Sequence, residues 1–321
     1  MANGQLSLAD AMVHPRLGAN ARLEAIDAAI DWRPLGRLVA QADPPQELGR
    51  RGYDGLALLK AIYLQALYNL SDPGLEEALA DRLSFRRFCG YGIGDPTPDE
   101  TTICRFRNAL AETNALEGCF AEVNAQLDQQ GLILRKGTIV DASIITSASR
   151  KPDIRQGEGA QAAREPGARW TRKNGRSYFG YRIHIGADLG SNVIRRVVLT
   201  PANVNESSVA DDLISGDERA VYGDKGYENK KRRQRLRRAG IKDRICHRSH
   251  KHQKGLPRWQ SRRNKGIGKR RAPGEAIFGT MKRGFGWVRA RYTRLASNVA
   301  DAFRFAAVFN LRRAASLLAG A

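Results

Sequence analysis

Between Lys225 and Ala321 the chain carries 28 basic residues and four acidic ones, Glu228, Asp243, Glu275 and Asp301. Glu275 lies between Lys269-Arg270-Arg271 and Lys282-Arg283. A carboxylate in such company either neutralises its neighbours or supplies an oxygen ligand to a divalent metal. Asp141 poses the same alternative, because it interrupts the apolar run Gly137-Thr-Ile-Val-Asp-Ala-Ser-Ile-Ile, where a charge is costly to bury unless paired or metal-bound. Asp224 stands in Gly223-Asp-Lys-Gly-Tyr227, whose glycines let the backbone turn sharply and present the carboxylate at a strand tip. Three such carboxylates can hold two hard cations about 4 Å apart, which activate water or a 3′-hydroxyl on one side of a phosphodiester and stabilise the leaving oxygen on the other. Taken singly, each reads at least as well as a structural ion pair. The ordered set within a basic domain favours the metal.

A sheet must position these side chains. Gly137 to Ile145 reads as a short apolar strand, and Tyr181 to Leu189 and Asn192 to Thr200 as alternating strands joined by Gly190-Ser191. Ala220-Val-Tyr222 and Ile241 to Cys246 add two more strands, with helices expected over residues 205–215 and 229–238. Two further helices, about Gly274 to Arg283 and Asn298 to Leu318, close the chain. The order β-β-β-α-β-α-β-α is that of a ribonuclease-H-like domain, in which three antiparallel strands continue into parallel ones. In that order the first and fourth strands are neighbours, so Asp141 and Asp224 can share a metal and the late helix can bring Glu275 over it. Residues 149–177 and 247–271 read as basic loops.

The first 130 residues read as mostly helical. Leu56, Leu59, Ile62, Tyr63 and Ala66 recur at helical spacing, Ser71-Asp-Pro-Gly74 breaks the run, and Leu75, Leu79 and Leu83 resume it. Thr97 reads as an N-cap with Pro98 at the first helical position, opening a helix through Ile103, Phe106 and Leu110 whose outer face offers Thr102, Arg105, Arg107 and Asn108. A last helix, about Glu117 to Gln130, ends at Gly131. Such a module either places an Arg-bearing helix in a DNA groove or is a plain packing and dimerisation bundle.

Charge separates the two parts. Residues 1–140 hold 14 basic and 18 acidic side chains, residues 141–321 hold 40 and 15, and the whole chain carries +21. A field of that size on one part favours a polyanion, with nucleic acid ahead of a membrane surface because no basic helix with a bulky apolar face accompanies it. Val299 to Leu318 is broken by Asp301, Arg304, Arg312 and Arg313, so a membrane span is not expected. The N-terminus has no signal-peptide pattern, and a cytoplasmic, nucleoid-associated protein is expected. Cys89, Cys104, Cys119 and Cys246 show no Cys-x-x-Cys spacing, and the crowded set Cys246, His247, His250 and His252 does not match a usual structural zinc site.

Asp141, Asp224 and Glu275 resemble the DDE triad of insertion-sequence transposases, and the words around them resemble the IS5 family within the IS4-like group. Tyr53-Asp-Gly55 through Leu110 is similar to that family's helical N-terminal domain. Val140-Asp-Ala-Ser143, Tyr178-Phe-Gly-Tyr181, His184-Ile-Gly-Ala-Asp188, Thr200-Pro-Ala-Asn-Val204 and Tyr222-Gly-Asp-Lys-Gly-Tyr227 resemble its catalytic core. Arg271, Glu275 and Lys282 match the arginine, glutamate and lysine of the family's Y-R-E-K motif, with Gly268 where the motif has tyrosine.

The resemblance implies a bacterial-type DNA transposase with a helical domain over 1–131 and a ribonuclease-H-like catalytic domain over 132–321. It implies two Mg2+ or Mn2+ ions on the three carboxylates, transposon terminal inverted repeats and target DNA as partners, and a dimer in the DNA complex. Arg271 and Lys282 lie close to one helix face and would hold transposon-end phosphates, Arg105 and Asn108 are the types that read guanine and adenine, and Arg232 to Arg238 would bind phosphate generically. Asn203 and Lys225 flank the strand ends, and His184 reads as a satisfied strand histidine. Two other readings stay open: a catalytically inactive nucleic-acid-binding derivative of a mobile element, and a metal-dependent nuclease without strand transfer.

Overall fold

A computed structural model describes residues 17–43, 52–149, 164–249 and 255–320. The chain divides into two compact units: Met1–Gln130 with Phe303–Ala321, and Gly131–Ala302. A single division near residue 131 therefore leaves out the end of the last helix, which groups with the helical unit.

In the helical unit, α1 (Ala21–Ala28), α2 (Arg33–Ala42), α3 (Gly55–Tyr68), α4 (Asp72–Asp81), α5 (Leu83–Cys89), α6 (Glu100–Glu112) and α7 (Ala115–Gln129) follow one another. Side-chain caps start most of them: Asn20, Asp54, Ser71 and Asp99 each accept a backbone N–H of the following turn. α3 is buried over most of its length, as the all-round apolar run Leu58 to Leu67 dictates. α6 begins later than the Thr97 cap expected. Asp99 Oδ1 accepts from Thr102 N at 2.6 Å, while the Thr97 carbonyl accepts from Tyr53 Oη at 2.8 Å, outside the helix.

The sheet unit holds β1 (Thr138–Thr146), β2 (Arg169–Lys173), β3 (Arg176–Asp188), β4 (Ile194–Pro201), α8 (Glu206–Val209), β5 (Ala220–Gly223), α9 (Lys230–Arg238), β6 (Lys242–Ile245) and α10 (Arg258–Gly279). A π turn, Thr280–Gly284, prolongs α10, and α11 (Leu295–Leu318) begins in this unit. β3 pairs antiparallel with β1, β2 and β4, whereas β5 pairs parallel with β1 and β6 parallel with β5. This is the mixed sheet that the strand order implied.

Three expectations are corrected. The segment 149–177 is not all loop: β2 pairs with the start of β3 through a turn at Asn174-Gly175, both at positive φ, although residues 150–163 lie outside the described part. The segment 247–271 is not all loop either, because α10 begins at Arg258, although residues 250–254 lie outside the described part. The helix expected over 205–215 is the short α8 alone.

Both faces of the parallel part are covered, which is why its strands are continuously apolar. Val140, Val221 and Ile245 pack with Tyr227, Leu236 and Ile241 on one face, and Ile139, Ala220 and Tyr222 pack with Ile267 of α10 on the other. Side chains alternate along a strand, so Asp141 shares the α10 face with Ile139.

Candidate active site

Ile139 is in register with Tyr222 across the parallel pair β1–β5. Asp141 and Asp224 each follow that pair by two residues, which places both on the same side of the sheet at the carboxyl end of β5. Asp141 Oδ1 accepts from Ala142 N at 2.9 Å, and Asp224 Oδ1 accepts from Gly226 N at 2.7 Å, capping the 3₁₀ turn Lys225–Tyr227.

α10 runs against β1. A β-carbon on Gly274 would stand 3.1 Å from Ile139 Cγ2 and 3.4 Å from Asp141 Oδ2, so the absence of a side chain lets the helix backbone pass beside the carboxylate. One turn earlier Arg271 Nη2 lies 3.5 Å from Asp141 Oδ1. Past the helix end, Lys282 Nζ donates to the Ile144 carbonyl at 2.8 Å. Burial, and then Lys173, lower the pKa of that lysine. Glu275 follows Gly274 directly but is exposed. Thus the structure brings Asp141, Asp224, Arg271 and α10 together, and Glu275 is an exposed residue of that helix. Among the described residues no three His, Cys, Asp or Glu side chains already surround a metal position.

Burial raises the pKa of Asp141; Arg271 and the Ala142 N–H lower it, and Asp224 raises it again. Glu206 on α8 behaves in the same way, raised by burial, lowered by Arg182 and raised by Asp224 and Asp141. Sequence reasoning missed Glu206. Its signal was its place, directly after Thr200-Pro-Ala-Asn-Val204-Asn205 and at the start of an expected helix. An all-oxygen set in which Asp224 raises the proton affinity of both Asp141 and Glu206 suits a hard divalent cation.

Several basic residues have local partners instead. Arg232 is buried and bonds Asp211, Ser207 and the Tyr227 carbonyl, so it is a structural residue and not a generic phosphate binder. Arg233 pairs with Asp243 and Glu228, and Arg235 with Asp211. His184 is fully buried with Nε2 2.9 Å from Thr200 Oγ1, and burial pulls its pKa down to about 4. His247 lies against Asn264 and Trp259, and His250 and His252 fall outside the described residues. In the helical unit Arg105 and Asn108 are exposed over a buried row of Ile103, Phe106 and Leu110, as expected. Arg107 is the correction there: it is buried and holds Asp72 with two bonds, of 2.6 and 2.8 Å.

A family model described as a transposase DDE domain matches residues 134–311, more than half of the chain. The chain belongs to the DDE transposase family. A second model, described as a transposase domain (DUF772), matches residues 12–109. No solved structure matches the chain. The protein is thus an insertion-sequence DNA transposase, a DNA-binding enzyme of metal-dependent cleavage and strand transfer that uses divalent ions. Among the transposase's described residues, no helix is long and apolar enough to cross a membrane.

Proposed function

We propose an IS5-type transposase in which Asp141, Asp224 and Glu275 hold two divalent cations, Mg2+ or Mn2+, at the scissile phosphodiester of a transposon end. The observation that carries this is the placement of Asp141 and Asp224 two residues beyond one registered pair, with α10 passing beside Asp141 and leading straight into Glu275. Bound cations supply the charge that activates a water or 3′-hydroxyl and stabilises the leaving oxygen. Asp141 and Asp224 form the fixed part of the site, and Glu275 turns inward from solvent to complete it. Arg271 exchanges Asp141 for a DNA phosphate, and Lys282 holds a second phosphate further along β1. The helical unit reads the terminal inverted repeats through Arg105 and Asn108, and a dimer brings two ends to one target DNA in the nucleoid.

The test is a set of isosteric changes, Asp141→Asn, Asp224→Asn and Glu275→Gln. Each is expected to bind terminal-repeat DNA like the parent and to cleave it at least about a thousandfold more slowly. Parental cleavage by any one variant removes that residue from the site. Strand transfer with pre-cut ends separates this reading from a simple nuclease.

A further inference from the structure

Gly226 marks a point where two carboxylates converge. A β-carbon there would stand 2.9 Å from Asp224 Oδ1 and 3.3 Å from Glu206 Oε2, so those oxygens are no further apart than the two lengths laid end to end. The other Glu206 oxygen, Oε1, lies 3.3 Å from Arg182 Nη1. Arg182 is held in turn, since its Nη1 donates to the Val204 carbonyl at 3.1 Å and its Nη2 to Thr171 Oγ1 at 3.2 Å. Glu206 is therefore fixed on one oxygen and presents the other toward Asp224.

The residue after Gly226 carries a second observation. The Tyr227 ring is fully buried and its hydroxyl has no hydrogen-bond partner among the described residues. Burial raises its pKa, and the charges of Glu206, Asp141 and Asp224 each raise it further, so this unsatisfied donor sits in the field of all three carboxylates. Buried polar groups are nearly always satisfied by protein or ordered water.

We propose that Glu206 is a further metal-holding carboxylate of this transposase, using Oε2 beside Asp224 while Arg182 fixes Oε1. This rests on the assignment of Asp141 and Asp224 as metal-holding residues. An ion pair serving stability alone would need neither the approach of Oε2 to a second carboxylate nor a glycine at 226 to make room for both. The site then has four carboxylates, of which Asp224 and Glu206 approach each other at Gly226 and Glu275 stands exposed on α10.

The experiment is a Mn2+ titration of the full chain without DNA, read by the loss of the free-ion electron paramagnetic resonance signal. Glu206→Gln keeps the shape and an acceptor for Arg182, and is expected to weaken Mn2+ binding about tenfold. Arg182→Lys, which keeps a cation beside Oε1, is expected to change it far less. Glu206→Asp serves if the glutamine variant does not fold, with weakening again expected. Parental Mn2+ affinity in the folded Glu206 variant, alongside weakened binding in Asp141→Asn and Asp224→Asn, would overturn the role of Glu206 alone. Unchanged binding in those two aspartate variants would instead overturn the site on which it rests.

Discussion

Arg271 Nη2 stands 3.5 Å from Asp141 Oδ1, and each side chain is 16% exposed. The distance is an ion-pair contact longer than a strong charge-assisted hydrogen bond, so the guanidinium neutralises the carboxylate without locking it. A divalent cation at Asp141 would do the same work and free the arginine for phosphate. Arg271→Ala is therefore expected to cost the metal-free protein about 1–3 kcal/mol, because it leaves a mostly buried carboxylate uncompensated. In excess Mg2+ the loss should shrink. Thermal melts in chelator and in Mg2+ check this, and equal losses in both would mean that Asp141 holds no cation.

The exposed row that was expected to offer Arg107 instead buries it, with consequences for stability. Arg107 forks onto both oxygens of Asp72, Gln65 Nε2 donates to the same carboxylate at 2.5 Å, and buried Arg304 donates to Gln65 Oε1 at 2.8 Å. The Arg107 bonds help hold the Asp72 pKa below its usual value against the opposing effect of burial. Breaking one side of such a pair costs about 3–5 kcal/mol when fully buried, and Asp72 is 27% exposed, so Arg107→Ala should cost about 2–3 kcal/mol. Denaturant titrations of Arg107→Ala, Asp72→Ala and the double variant check it, and the double should lose less than the sum of the singles.

Much of this architecture was legible because the periods were clean. The strand of Asp141, its neighbour ending at Asp224 and the buried row Ile103, Phe106 and Leu110 follow from alternation and helical spacing alone. What escaped was decided by partners far away in the chain. Arg107 and Arg105 look alike in sequence, yet only Arg107 meets Asp72, 35 residues away. Glu206 gained its meaning from Asp224 and Gly226, and Arg232 from Asp211 and two carbonyls. The strand β2 was hidden by its basic composition, because Arg169 to Lys173 contributes backbone pairing and little apolar burial. α10 was hidden for a similar reason: Arg258 to Arg271 carries the apolar Ile267 against the sheet but otherwise mainly charge and glycine.

That helix separates its charges by face. Ile267, Arg271 and Gly274 point to the sheet, while Arg258, Arg262, Lys265 and Lys269 are exposed at steps of four, three and four residues. One row of cations at that spacing suits a line of phosphates. The triple change Arg262→Ala, Lys265→Ala and Lys269→Ala should weaken DNA of any sequence alike. It should also reduce the slope of log K against log salt by about 0.9 for each lost contact. Arg232→Ala is the contrast, expected to destabilise the fold with no characteristic change in slope. An unchanged slope in the triple variant would make this row a solvated face and move the phosphate contacts elsewhere.

Sequence preference is expected to reside in α6. Its buried row Ile103, Phe106 and Leu110 anchors the helix, and Arg107 is occupied by Asp72, which leaves Arg105 and Asn108 as the exposed pair on the outer side. Asn108 Nδ2 lies 3.8 Å from Cys104 Sγ, a weak bond that is easily exchanged for a base edge. Arginine pairs bidentately with guanine and asparagine with adenine in the major groove, each worth about 1–3 kcal/mol of discrimination. Residues 1–140 carry 14 basic and 18 acidic side chains, so little non-specific attraction masks such reading. Arg105→Ala and Asn108→Ala should each reduce the preference for the element's terminal repeats over scrambled DNA by about tenfold while leaving binding to scrambled DNA nearly unchanged. Competition binding with both duplexes measures this directly. If both variants keep full discrimination, α6 is a packing helix and the repeats are read by another surface.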